Sequence, residues 1–393
     1  MKSSLNVRII IYEWFITLAA ICLMFFEISA SADVPFRGFT DFSYVYDATN
    51  SANYFQIRDL DIFVSGQLDK RVSYTAEINF QPSFNGVGVD LERTFVQYQV
   101  SPWFKVAVGR FHTALGYWND TYHHGSYLAT SATRPVMERF EDAGGLLPVH
   151  NTGIEIRGNG LVGSGNFGYI FNIGNGRGPR KDPPTSFFSY NKSKSVSGVV
   201  FYELSNGIRV GANFWRSDLP GGYALDGDST NTASSGPKGT EYIAGFHFIY
   251  NSPSIEWLSE YHHMYHSYVG GTDSWNIVNQ NADGSTQTHI DLMYAQLGLH
   301  FGLFTPYVRY EINATSTNDV YLNSGSPTVQ GLPATTRNYV LGTRYELSSI
   351  SALKAEYTFV SSGAPVFISN FSNQNPPTSL TNQSIQVNWS LAW

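Results

Sequence analysis

The sequence predicts an all-β fold: a membrane-spanning antiparallel β-barrel of about sixteen strands. Three observations carry this reading. The first is composition. Charged residues make up 14% of the 393 residues and aromatics 15%, against about 25% charged in ordinary soluble domains. Scarce charge and many rings suit a lipid-facing protein, yet mean hydropathy is only −0.18. Beyond the N-terminal segment no apolar run reaches the roughly 20 residues of a spanning helix. A closed barrel reconciles these facts, because a polar lumen cancels an apolar exterior in the average.

The second observation is period-two alternation, the mark of strands whose faces meet different media. Ile385, Val387, Trp389, Leu391 and Trp393 oppose Gln386, Asn388, Ser390 and Ala392. Leu353, Ala355, Tyr357 and Phe359 oppose Lys354, Glu356 and Thr358. Tyr339, Leu341, Thr343, Tyr345 and Leu347 oppose Asn338, Gly342, Arg344 and Glu346, and Val72, Tyr74, Ala76, Ile78 and Phe80 oppose Ser73, Thr75, Glu77, Asn79 and Gln81. Strands are placed near 36–47, 55–69, 72–82, 89–100, 103–111, 151–158, 165–174 and 195–204. The second half continues near 208–216, 240–250, 254–264, 289–300, 304–312, 336–347, 352–361 and 383–393. Alternation is poor in 165–174 and 195–204. A soluble sandwich would also alternate, but it accounts for neither a secretion signal nor a terminal aromatic.

The third observation is the connections. Short turns at Lys70-Arg71, Ser101-Pro102, Ser205-Asn206-Gly207, Asn251-Ser252-Pro253 and Ser348-Ser349 alternate with long polar segments near 112–150, 175–194, 217–239, 265–288, 313–335 and 362–382. Outer-membrane barrels have short turns at one rim and long loops at the other. About sixteen strands enclose an aqueous channel, whereas eight are filled by side chains. The first strand starts within a few residues of Asp33, which leaves no room for the plug domain of a TonB-type transporter.

Residues 1–32 read as a secretory signal peptide and 33–393 as the barrel domain. Lys2 and Arg8 precede an apolar core from Trp14 to Phe26, and Ala30-Ser31-Ala32 reads as a cleavage site. An uncleaved anchor is the alternative, but Glu13 interrupts its apolar run. The single cysteine, Cys22, lies inside this segment, with bulky Ile21 before it a poor neighbour for lipoprotein cleavage. The mature chain then lacks disulfides, thiolate catalysis and cysteine-zinc sites. Losing Lys2, Arg8, Glu13 and Glu27 leaves the net charge at −7. There is no basic surplus for nucleic acid, and no cofactor is indicated.

The segment from Phe55 to Gly116 reads FQIRDLDIFVSGQLDKRVSYTAEINF and then VDLERTFVQYQVSPWFKVAVGRFHTALG. It resembles the opening of the phosphate-selective porin O/P superfamily, with its F-x-I-R strand, G-x-L turn, Y-x-x-E strand, A/F-V-x-Y strand and G-x-F…G motif in this order. The resemblance implies a 16-stranded porin, usually a homotrimer, set in outer-membrane lipid and lipopolysaccharide and passing small hydrophilic solutes by diffusion. Anion-selective members carry arginines after the first one in F-x-I-R; this chain has Asp59 and Asp61, which speaks against strong anion selectivity. A substrate-specific relative such as a porin-like siderophore receptor stays open.

In 16-stranded porins the long loop after strand five folds into the lumen. Here it runs from about His112 to His150, with Asp120, Arg134, Glu138, Arg139, Glu141 and Asp142 as candidate constriction charges. The other reading is a loop packed at the extracellular mouth. Inward phases of the wall offer Lys105, Glu155, Arg157, Arg209, Arg309, Glu311, Arg344, Glu346, Lys354 and Glu356. Glu138, Glu141 and Asp142 are expected to face wall arginines such as Arg309 or Arg344. With Tyr357 towards lipid and Glu356 towards the lumen, Gln at Glu356 is expected to leave folding nearly unchanged.

Histidines raise a metal question. His123 and His124 adjoin in the loop, and His262, His263 and His266 in a strand. Neighbouring strand residues face opposite sides, and His262 and His266 lie about 13 Å apart, so no metal site is expected. An embedded hydrolase needs a convergent Ser, His and acid, and no G-x-S-x-G element is present; an adhesin is a further alternative. The terminal aromatic Trp393, preceded by alternating apolar residues, resembles the signal read by the outer-membrane assembly machinery.

Overall fold

The computed structural model describes residues 36–49, 51–83, 86–122, 126–140, 145–178, 193–221, 237–272, 280–281, 284–315, 319–322, 335–362 and 381–393. The segment read as a signal peptide lies outside them, as do His123, His124, Glu141 and Asp142. Eight strands form the first half: β1 (Phe36–Asp47), β2 (Ala52–Asp69), β3 (Val72–Ser83), β4 (Gly86–Ser101), β5 (Phe104–His112), β6 (His150–Val162), β7 (Gly165–Gly174) and β8 (Ser195–Leu204). Eight more complete it: β9 (Ile208–Pro220), β10 (Lys238–Asn251), β11 (Ile255–Tyr268), β12 (Gln287–Leu299), β13 (Phe304–Thr315), β14 (Thr335–Ser348), β15 (Ser351–Ser362) and β16 (Thr381–Ala392). Each pairs with its sequence neighbours, and β16 pairs with β1 to close the barrel. The sixteen expected strands are all present, within a few residues of their expected bounds.

The seam runs antiparallel from Phe39 opposite Ala392 to Asp47 opposite Ser384. Beyond it, Trp393 N–H donates to the Gly38 carbonyl at 3.0 Å and Gly38 N–H to the Trp393 carbonyl at 2.9 Å. The indole lies against Gly38, where any side chain would collide with it. Deleting Trp393 removes these two bonds and is expected to lower the yield of folded, heat-modifiable protein in outer membranes; unchanged yield and gel mobility would remove the proposed assembly role.

Side chains alternate as expected. Phe55, Val108, Ile154, Phe246, Leu341, Tyr357 and Trp389 are exposed on the outer wall. Rings on neighbouring strands form ladders there, such as Tyr310–Tyr339–Phe359 with centroids 5.3 and 6.1 Å apart. Glu356, beside Tyr357, is buried in the interior. Arg at Tyr357 is expected to cost up to about 2–4 kcal/mol near the bilayer midplane, read from the urea midpoint of the barrel in lipid vesicles. An unchanged midpoint would contradict the register, since a slip of one residue inverts every face.

One irregularity places a functional side chain. Asp41 pairs with Asp59 and Phe42 with Ile57, so Arg58 is the extra residue of a β-bulge. The bulge lets Arg58 point inward, where its guanidinium reaches the Ala132 carbonyl at 2.9 Å and Asp41 at 3.4 Å.

The interior is not polar throughout. Inward positions of β9–β12 carry Trp215, Leu219, Ile243, Ile249, Leu258, Met264, Ile290, Leu292 and Tyr294, all buried. They form one apolar cluster with Leu115, Tyr117, Trp118, Met137, Leu146 and Leu147 of the connection 113–149. A hydrophobic core therefore sits inside the barrel, between wall and loop. A smaller cluster of Ala114, Ile170 and Val199 explains the weak alternation of β7 and β8. Inward Ile170 and Val199 are apolar where Ala114 at the base of the loop covers them, while Asn172, Ser195 and Ser197 on the same faces are buried and polar.

Candidate functional site: a loop clamped across the lumen

The connection between β5 and β6 begins with Thr113 N–H bonded to the Val149 carbonyl, which draws its two ends together. It carries a short helix α1 (Trp118–Thr121) and a 3-10 turn (Val136–Glu138). Gly116 permits its first bend: φ is +75°, and a side chain there would collide with Glu260. From that bend the loop crosses the interior and bonds to many wall strands, which places it inside the barrel.

Two kinds of clamp hold it. Wall carboxylates accept loop N–H groups. Glu260 on β11 takes those of Tyr117 (2.6 Å) and Trp118 (2.8 Å) as well as the Tyr294 hydroxyl (2.8 Å). Glu356 on β15 takes those of Ala132 (3.1 Å) and Thr133 (3.2 Å), with the hydroxyls of Thr133 and Tyr307. Glu311 on β13 takes that of Val136 at 2.8 Å, and Glu256 takes the Thr130 hydroxyl at 2.8 Å. Wall cations bind loop carbonyls. Lys354 donates to those of Ser126, Ala129 (2.6 Å) and Ser131 (3.1 Å). Arg344 donates to those of Tyr127 and Ala129, and Arg309 to that of Thr133 at 2.9 Å. Arg58 and Asn388 both bind the Ala132 carbonyl. A loop that is not a regular helix or strand leaves its backbone groups without partners of its own, and buried groups need them; here the wall charges supply them.

This changes the role of several wall residues. Arg309, Glu311, Arg344, Lys354 and Glu356, expected as lining of an open lumen, are buried beneath the loop. They also pair along their strands: Arg309 with Glu311 at 2.6 Å and Arg344 with Glu346 at 2.6 Å. Glu356 accepts a fifth hydrogen bond from the Thr358 hydroxyl at 3.4 Å, and five donors on one buried carboxylate argue against the expected tolerance of Gln there. Other wall charges stay nearer water. Arg157, its side chain 34% exposed, binds Asp120 of α1 (30%) at 3.3 Å and at 2.5 Å Glu155, which was expected to line the pore but is buried and also accepts from Asn172. Lys105 stands across from Arg157 in the β5–β6 register and is half-buried. Arg209 lies 3.7 Å over the Phe201 ring and 5.0 Å from the Tyr117 ring, a cation–π sandwich.

The loop charges are corrected likewise. Glu138 does not face Arg309 or Arg344, whose guanidinium groups are already held by Glu311, Glu346 and loop carbonyls. It is buried facing β11, and burial, with the Glu260 carboxylate nearby, pushes its pKa well above the ordinary carboxylate value. Arg134 donates to the Glu138 carbonyl at 2.7 Å and stacks 4.2 Å over Phe140; burial lowers its pKa to about 10. Arg139 is half-buried, and burial lowers its pKa too.

Sequence reasoning missed Arg58, Glu256, Glu260 and Asn388 as anchors. The signal was present in β11, where Glu256, Glu260, His262 and His266 fall on one inward phase with Leu258 and Met264. His266 is bound on both ring nitrogens, to Asp319 at 2.7 Å and Glu241 at 2.8 Å, and Arg177 joins Glu241 at 3.0 Å. That network ties residues 177 and 319, from two further connections, to the wall.

No family model and no curated protein matches the sequence. Solved structures do match. The anion-selective porin of Comamonas acidovorans is 12% identical with a TM-score of 0.61, covering 92% of this chain and 100% of that one. The outer membrane channel DcaP of Acinetobacter baumannii is 12% identical with a TM-score of 0.56, covering 94% and 99%. OmpT of Vibrio cholerae, in a trimer form, is 10% identical with a TM-score of 0.58, covering 93% and 100%. From its closed sixteen-stranded barrel to its full-length overlap with these proteins, the chain has the fold of the outer-membrane porins.

Proposed function

We propose that the protein is an outer-membrane diffusion channel for small hydrophilic solutes, narrowed by loop 113–149 and only weakly selective for ion charge. The observation that carries this reading is the double clamp, which fixes a polar loop across a barrel of porin fold. Its outer apolar wall suits lipid and lipopolysaccharide, and a homotrimer follows the family resemblance and the trimeric OmpT. Wall carboxylates bonded to loop N–H groups, and wall cations bonded to loop carbonyls, offset one another, so few unbalanced charges meet the solution. The apolar packing against β9–β12 narrows the passage on that side, which favours a selective pore over a wide one.

Planar-bilayer recording of the purified protein tests this. A stable channel is the expected result; silence would favour an enzyme or an adhesin, which an esterase or phospholipase assay on the same sample would separate. Arg157 and Asp120 are a half-buried pair on the proposed path. Arg157→Gln is expected to shift the reversal potential towards cations in 0.1 M KCl and much less in 1 M, because the screening length falls from about 10 Å to 3 Å. Equal potentials at low salt would place this pair off the conduction path.

A further inference from the structure

We propose that Glu138, Glu260 and His262 form a divalent-metal site of zinc chemistry that ties the loop to β11. The three residues come from two elements that the fold brings together. Glu260 and His262 are two apart on β11, so both project inward about 6.8 Å apart along the strand. Glu138 closes the 3-10 turn opposite them. One ligand atom from each lies within 4.8 Å of the others, and His262 Nε2 is 3.8 Å from Glu260 Oε2.

Two atoms point to a ligand here independently of the acidic pairing. Glu138 Oε1 and His262 Nε2 are fully enclosed and have no hydrogen-bond partner among the described residues, in side chains 2% and 0% exposed. Buried polar atoms left unpaired cost about 1–3 kcal/mol each. A cation between them satisfies both and neutralises two carboxylates in one step. The imidazole is oriented for this. His262 Nδ1 lies 3.3 Å from the Asn213 amide, whose Oδ1 is itself unpaired. Turned about its amide, Asn213 accepts the Nδ1–H through Oδ1 and leaves Nε2 as a lone pair aimed into the cluster. Glu260 is held from behind by Tyr117, Trp118 and Tyr294.

One imidazole and two carboxylates suit zinc, bound at about 2.0–2.2 Å with water in the fourth position. They do not suit calcium, which takes six to eight oxygens. Ligand atoms about 2.1 Å from a tetrahedral ion are about 3.4 Å apart, so the 3.8 Å between His262 Nε2 and Glu260 Oε2 closes by a few tenths of an ångström and the Glu138 oxygen, within 4.8 Å, moves in by up to about 1.4 Å. The proposal does not depend on how the barrel conducts.

The test uses the full-length protein, folded in detergent and stripped with a chelator. Zinc is titrated by calorimetry against a competing dye, and cobalt serves as a spectroscopic probe of the same ligands. One zinc per chain is expected, with visible cobalt bands of low coordination number. Glu138→Gln and His262→Gln should each weaken zinc by at least about 100-fold, and Asn213→Ala by about 10–100-fold, with heat-modifiability retained. His289→Gln, on the outer wall, should change nothing. Should Glu138→Gln fail to fold, Asn213→Ala still decides the point. A folded wild-type protein that binds no stoichiometric zinc would overturn the proposal in favour of a protonated Glu138, as would unchanged affinity in the ligand variants.

Discussion

Replacing Glu356 with Ala is expected to release the middle of the loop and raise single-channel conductance, with flicker absent from the wild type. Its carboxylate gathers the Ala132 and Thr133 N–H groups and the Thr133 and Tyr307 hydroxyls in one buried spot. Removing one side of a buried charged arrangement costs about 3–5 kcal/mol, because the groups left behind stay desolvated. Arg309 is left short of one compensating charge nearby, and the N–H groups can be satisfied only if water enters. Water entry is itself the opening. The second measurement is limited proteolysis from the outside: the Arg139–Phe140 bond should become a trypsin site in Glu356→Ala and stay protected in wild type, whereas Arg134, which precedes Pro135, is not cleaved in either. Wild-type conductance with full protection would mean that the remaining clamps suffice, and that Glu356 holds nothing on its own.

Trp118→Ala is expected to cost a similar amount by a different route. Trp118 is 1% exposed, packed edge-on against Tyr122 at 4.9 Å and Tyr294 at 5.8 Å. Truncating a buried Trp costs about 3–5 kcal/mol through lost transfer energy and the cavity left behind. The loss should lower the unfolding midpoint in detergent while the β-sheet circular dichroism of the folded state stays unchanged. Trp118→Phe should recover part of it. A midpoint equal to wild type would show that the interior cluster contributes little and that the strand ladder alone sets stability.

Strand number, order and face were legible because lipid imposes period two on the outer phase whatever the interior does. That is why β16 and β15 were read residue by residue. The interior phase obeys a weaker rule. A lumen position is polar if it meets water and apolar if it meets a loop, and a single strand does not say which. Leu258 between Glu256 and Glu260 is ambiguous for that reason. The loop was legible as long, aromatic and charged, but most of its docking partners are more than a hundred residues away, as with Tyr117 and Glu260 or Thr133 and Glu356. The bulge at Arg58 left no mark that spacing alone reveals. The convergence of Glu138 with Glu260 and His262 is not legible from histidine spacing, because it joins β11 to a distant turn.

The clamps also constrain the order of assembly. Thr133 meets Glu356 across 223 residues, and Lys354 meets the Ser126 carbonyl across 228. Contacts of such separation form late, since their chain entropy is lost before they repay it. While β5 and β6 are being made, the apolar face of the loop has no cover. Its wall partners on β11, β13 and β15 all lie beyond residue 254 of the 393. Docking of the loop is therefore tied to completion of the barrel, and a chain stalled before β15 would hold a greasy, unclamped segment of the kind that chaperones bind.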